Sequence, residues 1–158
     1  MIDKAWLTGS GESIEFSEMF LIIKDYVKRG GKIFIGTDSQ LSIDSCTFAT
    51  AICLHGATGP SSGGRYFFQR TTRSQDQYKI LKVRIMQEVH RSIEIALQLF
   101  EENPGADIEI HLDVGTTDRS KTRAYVDELR GWTQSVGFKC RVKPNAWASA
   151  SVADKHTK

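Results

Sequence analysis

The chain has little of several features that would identify its class at once. Its 158 residues include three cysteines and three prolines, and the formal net charge is +2. The cysteines Cys46, Cys53 and Cys140 are odd in number and lie far apart within apolar, strand-like runs. This favours buried free thiols over a disulfide or a zinc site. The near-neutral charge does not indicate a strongly basic protein, so a surface that binds a polyanion would have to be local.

Long apolar runs are also missing. No apolar segment approaches the ~20 residues that a transmembrane helix requires. The N-terminal stretch MIDKAWLTGSGE carries acids and a Gly-Ser-Gly turn where a signal peptide would have a long apolar core. We therefore expect a cytoplasmic protein that makes no membrane contact. The length fits one domain of common size, so we expect a single domain over residues 1–158, with residues 1–31 as an N-terminal helical extension.

Hydrophobic periodicity predicts the order of helices and strands. Met19, Phe20, Ile23 and Val27 recur at helical spacing, and Gly30-Gly31 would end that first helix. Runs rich in β-branched and aromatic residues predict strands, whereas longer amphipathic stretches predict helices. The predicted elements are a helix at 16–29, strands at 32–38, 46–55 and 65–72, a helix at 74–103, a strand at 107–115, a helix at 120–136, a strand at 138–147 and a final helix beginning in ASASVADKHTK.

After the first helix this order reads βββαβαβα, which few folds accommodate. Short connections between the first three strands favour an antiparallel arrangement, since parallel neighbours need a longer crossover. Right-handed crossovers in the two following βα units would make the first, fourth and fifth strands parallel. We therefore predict an α/β fold with a five-stranded mixed sheet flanked by helices, plus the extra N-terminal helix.

Two aspartates stand where predicted strands leave this sheet. Asp38 follows the apolar run of KIFIGTDSQ, and Asp113 ends the fourth strand within DIEIHLDVG. If those strands are neighbours, the two carboxylates lie about one strand spacing apart, ~4.8 Å, and would repel each other. A divalent cation would neutralise them, and oxygen ligands suit Mg²⁺ or Mn²⁺ rather than zinc. For either aspartate alone, a turn or cap role is the alternative.

Two more carboxylates can reach the same edge. On a helical wheel Glu88 lies at the border of the apolar face of the long helix, whereas Glu94 lies on the mostly polar face. Glu88 is therefore a candidate ligand, although its head could instead reach water. Asp154 falls in the last segment, where a final helix packed beside the first strand could present it. A capping or tail role is the alternative for Asp154.

These motifs resemble a known family. GTDSQ (36–40), the helix around Glu88, HLDVG (111–115) and ADKHT (153–157) are similar to the ribonuclease H-like superfamily of two-metal nucleases, and more closely to the YkuK-type ribonuclease H-related proteins of bacteria. The resemblance implies a ribonuclease H-like fold and hydrolysis of phosphodiester bonds in RNA, DNA or RNA–DNA hybrid. The metal-binding and catalytic set that it implies, for two Mg²⁺ or Mn²⁺ ions, is Asp38, Glu88, Asp113 and Asp154.

Other residues would assist such a site. His156 could orient water or help to protonate the leaving group, with a surface role as the alternative. Basic residues with interleaved tyrosines, Tyr66 and Tyr78, could contact phosphates and bases, although a solvated basic face is equally open. The candidates for nucleic-acid binding are Arg65, Arg70, Arg73, Lys79, Lys82 and Arg84.

Two further interpretations remain. LDVGTT (112–117) resembles the phosphate-binding turn of the actin, Hsp70 and sugar-kinase superfamily, which suggests an ATP-binding domain. In that superfamily, however, the motif ends the first strand, whereas here it ends the fourth. The other interpretation is a non-catalytic ribonuclease H-like adaptor that binds nucleic acid or protein. The substrate type, the oligomeric state and the choice between internal and terminal cleavage stay open.

Overall fold

The computed structural model describes residues 5–60, 63–115, 117 and 119–158. A short π-helix, Ala148–Ala153, and a 3₁₀ turn, Asp154–His156, come last in the chain. We call residues 148–156 the C-terminal helical segment. The other main elements are β1 (Trp6–Thr8), β2 (Ser13–Ile14), α1 (Phe16–Lys28), β3 (Lys32–Leu41), β4 (Ser45–His55), β5 (Arg65–Ser74), α2 (Leu81–Glu102), β6 (Ile108–His111), α3 (Val126–Ser135) and β7 (Lys139–Arg141).

The strands form one mixed sheet in the order β2-β1-β5-β4-β3-β6-β7. β3, β4 and β5 are joined as an antiparallel meander, while β3 pairs with β6, and β6 with β7, in parallel. The predicted α/β class and mixed sheet are therefore confirmed, including the parallel relation of the first, fourth and fifth predicted strands. The sheet has seven strands rather than five because the N-terminal residues add two.

The N-terminal segment was predicted to be helical, but it contains the strands β1 and β2 as well as α1. β1 pairs antiparallel with β5 through Leu7 opposite Phe68, and β2 pairs with β1 through Trp6 opposite Ile14. Trp6 is 1% exposed and belongs to the main core. Strands of two and three residues are too short to show a periodic pattern, which is why the sequence did not indicate them. The single-domain organisation stays a prediction.

Several predicted boundaries also move: β3 continues to Leu41, β6 ends at His111 and β7 ends at Arg141. α2 begins at Leu81 rather than at Ser74, because the Ser74 side chain accepts a hydrogen bond from the Asp76 amide and starts a separate 3₁₀ turn at Gln75–Gln77. The final helix is a π-helix followed by a 3₁₀ turn. The predicted free thiols are confirmed, with Cys46 and Cys53 buried and Cys140 half-buried.

Helices cover both faces of the sheet. Alternate residues of β3 point to opposite faces, so Ile33 and Ile35 join the main core with α1 and α2. Phe34 points the other way and packs with Ala148 and Ala153 of the C-terminal helical segment. Within the described residues, none of the helices combines the length and the apolar character needed to cross a bilayer.

Candidate active site

The end of β3 sends neighbouring side chains to opposite faces of the sheet. Ser39 points toward α2, where its hydroxyl donates to Glu88 Oε2 at 2.5 Å. Asp38 points the other way and lies within hydrogen-bonding distance of Asp154. One strand end therefore connects an acid on α2 with an acid on the C-terminal helical segment.

The pairing of β3 with β6 brings in the third acid. Gly36 and His111 are partners in this parallel ladder. Asp38 and Asp113 each lie two residues beyond this pair, Asp38 still within β3 and Asp113 just past the end of β6, so the two residues are side by side. Their carboxyl groups are within hydrogen-bonding distance of each other.

Gly36 makes room for the segment that carries Asp154. A Cβ atom at this position would lie 2.3 Å from the Ser149 amide nitrogen and 2.6 Å from the Ala148 carbonyl carbon. The C-terminal helical segment thus crosses β3 in direct contact with its backbone. The far end is held by Thr157, whose hydroxyl donates to Gln40 Oε1 at 3.3 Å.

Crowding of the acids changes their protonation. Asp38 is only 7% exposed, and its burial, a hydrogen bond to Asp113 and the charge of Glu88 raise its pKa to about 9. Burial raises the pKa of Glu88 to about 8, although the Ser39 hydroxyl opposes this shift. Without a cation, the protein keeps protons on carboxyl groups that would be ionised in water at neutral pH.

Most of these acids are engaged by protein partners. Lys143 Nζ lies 3.0 Å from Asp113 Oδ1, and Lys158 Nζ lies 3.6 Å from Asp154 Oδ2. In the part of the chain that the structure describes, no three Asp, Glu, His or Cys side chains are already arranged to hold a metal ion. A cation at this site would therefore have to displace such contacts.

The chemistry of the donors nevertheless fits a hard divalent cation. All four candidates are carboxylates, the ligand type that Mg²⁺ and Mn²⁺ prefer. Asp113 Oδ1 is buried and accepts no hydrogen bond of good geometry, in spite of the nearby Lys143 ammonium. Burial is the main cause of the raised pKa of Asp38 and the neighbouring acids add to it, so a cation would stabilise the ionised carboxylate.

A cavity of about 330 Å³ opens at three of the four acids, Asp38, Glu88 and Asp113. A loop after β6 forms one wall, where the Gly115 amide donates to Thr122 Oγ1 at 2.7 Å. Three cationic side chains line the cavity together with the acids: Arg84, Lys121 and Lys143. The site therefore combines clustered carboxylates with cations that could receive a phosphate.

The structure does not bring His156 to this cluster. Its ring stacks on Phe68 with centroids 3.6 Å apart, and its Nε2 is hydrogen-bonded to the Tyr66 hydroxyl at 2.9 Å. Both partners belong to β5, two strands from β3 and thus about 10 Å away across the sheet. These contacts fasten the end of the chain to β5, and the expected role of His156 in orienting water stays a prediction.

The predicted basic cluster is divided. Arg84 alone among the six lines the cavity. Lys82 pairs with Glu128, with 3.4 Å between Nζ and Oε2. Arg65 begins β5 five residues before Arg70 and so lies about 16 Å along the strand from it. Arg70, Arg73 and Lys79 are exposed at the other end of β5 or just after it.

Sequence reasoning missed several residues of the cavity. Ser39 stands next to Asp38 in GTDSQ, so strand alternation could have placed it toward α2. Lys143 lies inside the strand predicted at 138–147, whereas in the structure it follows β7, which ends at Arg141. Lys121 lies in a loop, for which hydrophobic periodicity provides no signal. Glu94 is a partly exposed side chain of α2 that pairs with His90 at 3.4 Å.

Comparison with known proteins identifies the family of the chain. A profile of Ribonuclease H-like proteins matches residues 16–158, and the chain therefore belongs to the Ribonuclease H-like family. The chain is also 26% identical over 165 residues to the uncharacterized protein YkuK of Bacillus subtilis (strain 168), a match that covers 94% of each chain. The family resemblance drawn from the sequence is thus confirmed. Membership supports a nuclease-like superfamily, whose proteins commonly use divalent metals.

Proposed function

We propose that this protein is a metal-dependent nuclease that hydrolyses phosphodiester bonds of RNA, DNA or RNA–DNA hybrid with two Mg²⁺ or Mn²⁺ ions. The observation that carries this proposal is the meeting of acids from four separate elements around Asp38. Asp113 and Asp154 lie within hydrogen-bonding distance of Asp38, and the charge of Glu88 acts on it. A fold gains no stability from this crowding, so a bound cation is the simplest reason for it.

The position of each of the four acids suggests which ion it would bind. Asp38 lies between the other acids and would contact both ions. Asp113 and Glu88 would hold one ion, and Asp154 would hold the other. When bound, such a pair of ions activates a water on one side of the phosphodiester and stabilises the departing 3′ oxygen on the other.

Cationic side chains at the cavity would receive the substrate. Arg84 and Lys121 line the same cavity as the acids and are placed to contact phosphates. Arg70, Arg73 and Lys79 would extend this surface. Since contacts of this kind are electrostatic, binding should weaken steeply with salt. The cytoplasm remains the proposed location.

A cleavage assay tests the proposal. Labelled single-stranded, duplex, hybrid and branched substrates are incubated with Mn²⁺ or Mg²⁺ and the purified protein. Asp38→Asn and Asp113→Asn should each lower the cleavage rate at least ~10²-fold. Asp107→Asn is the matched control, because Asp107 precedes β6 at the strand end opposite to Asp113 and pairs with Lys139. Cleavage that persists in both site variants would contradict the proposal.

A non-catalytic adaptor is the second candidate. It is favoured by the contacts of Lys143 with Asp113 and of Ser39 with Glu88, which partly satisfy the acids without a metal. An adaptor should bind no Mn²⁺ tightly, and Asp38→Asn should leave its nucleic-acid or protein binding unchanged. Calorimetric titration with Mn²⁺ separates the two candidates.

An ATP-binding role has less support. The motif LDVGTT follows β6, the fourth predicted strand, and leads toward α3 rather than into a hairpin. Thr116 of this motif lies outside the described residues. Micromolar binding of ATP with Mg²⁺ in a calorimetric titration would revive it.

A further inference from the structure

Asp154 lies on the C-terminal helical segment, so its position beside the other three acids depends on how this segment docks. This segment begins at Ala148, six residues before Asp154. One side chain meets the segment at that first residue. The Ala148 amide donates a hydrogen bond to Nδ1 of His111, with 3.0 Å between the two nitrogens.

The His111 ring is buried and fixed. Its side chain is 0% exposed and contacts the rings of Phe34 and Trp147, with centroid distances of 5.5 and 5.1 Å. Since Nδ1 accepts the Ala148 amide proton, the ring proton of a neutral imidazole must be on Nε2. Nε2 donates to Glu109 Oε1 at 3.2 Å, which holds this tautomer.

Glu109 is held in turn. It is 8% exposed, and Arg141 of the neighbouring strand β7 forms an ion pair with it. Because Glu109 and His111 are two residues apart on β6, their side chains lie on the same face of the sheet. A connected set of side chains therefore runs from β7 through β6 to the first amide of the C-terminal helical segment.

The two strands that carry Asp38 and Asp113 also carry the docking contacts. Gly36 and His111 are direct partners in the parallel ladder between β3 and β6. Gly36 leaves the space for Ser149, and His111 supplies the acceptor for Ala148. The register that places Asp38 beside Asp113 thus also places the segment that carries Asp154.

We propose that His111 is a positioning residue that docks the C-terminal helical segment and thereby fixes Asp154 beside Asp38. This inference rests on the proposed metal site for its functional consequence, but the docking itself does not depend on metal. Removal of the His111 Nδ1 acceptor should free the start of the segment. It should reduce binding of only the ion that Asp154 would hold. The other three acids should be affected little, because they lie on β3, α2 and the end of β6.

Two measurements test the proposal on the full-length protein: amide hydrogen exchange of residues 148–157 without metal, and calorimetric titration with Mn²⁺. His111→Leu removes the acceptor, and His111→Asn retains one in its amide oxygen. His90→Leu is the control, since His90 is an exposed histidine on α2. His111→Leu should accelerate amide hydrogen exchange of the segment at least ~10-fold. It should also lower the affinity for one of the two Mn²⁺ ions by about 10- to 100-fold. His111→Asn should restore part of both losses.

A double-mutant cycle separates positioning from general damage. If His111 acts through Asp154, His111→Leu should add little to the loss of Mn²⁺ affinity already caused by Asp154→Asn. Additive losses, or exchange of residues 148–157 no faster than in His90→Leu, would overturn the inference. If His111→Leu does not fold, slow exchange and unaltered Mn²⁺ affinity in His111→Gln, whose longer side chain cannot reproduce the Nδ1 position, would equally overturn it. Absence of Mn²⁺ binding to the unmutated protein would instead defeat the proposed function, while the exchange measurement would still decide the docking role.

Discussion

Asp38 and Asp113 lie within hydrogen-bonding distance of each other, although both are carboxylic acids at the end of a strand. Burial and this contact, together with the charge of Glu88, raise the pKa of Asp38 to about 9. A protein without a cation can tolerate this arrangement only by keeping a proton between the two groups. The stability and the metal affinity of the protein should therefore both depend on pH.

The first prediction concerns stability without metal. The pKa of Asp38 is about 9 in the folded protein against its ordinary value of 3.8, so the folded state binds more protons than the unfolded state between these pH values. The free energy of unfolding should consequently fall as the pH rises from about 4 to about 9. Asp38→Asn removes this contribution and should stabilise the metal-free protein at pH 8 by about 1–3 kcal/mol.

Urea denaturation in EDTA at pH 5 and at pH 8 measures this effect. The gain from Asp38→Asn should be larger at pH 8 than at pH 5. Asp107→Asn provides the comparison, since the Asp107 side chain is partly exposed and pairs with Lys32 and Lys139. Equal effects of Asp38→Asn on stability at both pH values would show that the pKa of the Asp38 carboxyl group is not raised as described.

The second prediction is that metal binding releases protons. Asp38 and Glu88, with pKa values of about 9 and about 8, must lose their protons to coordinate a cation at neutral pH. Mn²⁺ affinity should therefore increase from pH 6 to pH 9. Titrations at pH 7 in buffers of different ionisation enthalpy should report about two protons released per protein. Binding without proton release would mean that the metal uses other groups.

Lys143 gives the third prediction. Its ammonium lies 3.0 Å from Asp113 Oδ1 and occupies part of the place that a cation would take. Lys143→Met should make Mn²⁺ binding tighter by about 3- to 10-fold, because the metal no longer displaces a competing positive charge. Lys139→Met is the control, since Lys139 pairs with Asp107 at the other end of the sheet edge. Weaker binding by Lys143→Met would indicate that Lys143 supports the metal rather than competes with it.

The fourth prediction concerns the contact between β3 and the C-terminal helical segment. A methyl group at Gly36 would lie 2.3 Å from the Ser149 amide nitrogen, so the segment must shift to accommodate it. Gly36→Ala should lower the free energy of unfolding by about 1–3 kcal/mol, the usual cost of overpacking. Gly36→Ala should also weaken binding of the Mn²⁺ ion that Asp154 would hold.

Gly63→Ala is the matched substitution, because a Cβ at Gly63 meets nothing within 4 Å. Thermal denaturation and Mn²⁺ titration compare the two variants. A Gly36→Ala protein as stable as Gly63→Ala, with undiminished Mn²⁺ affinity, would show that the close passage of the segment over β3 is not required.

The sequence allowed prediction of the parts of this fold that depend on local patterns. A continuous apolar run located β3, alternation located β6, and the topology rules made the two strands neighbours, which brought Asp38 and Asp113 together. The helical wheel of α2 distinguished Glu88 from Glu94. Strands as short as β1 and β2 were beyond reach, because two or three residues show no period.

Contacts between distant segments could not be predicted in the same way. The stacking of His156 on Phe68 and the bond from Ala148 to His111 depend on how the last residues cross the sheet. This crossing is decided by packing at Gly36, which leaves no periodic signal in the sequence. The pairing of Lys143 with Asp113 likewise follows from tertiary structure, although both residues lie just beyond strand ends.

Anomalous scattering from crystals soaked in Mn²⁺ would show directly whether the four acids bind two divalent ions. We expect two manganese peaks about 3.5–4 Å apart, with Asp38 contacting both and Asp154 contacting one. Crystals of Asp38→Asn prepared in the same way should lose at least one peak. Unmutated crystals without manganese at these four acids, under conditions in which the soaked protein remains folded, would contradict the account.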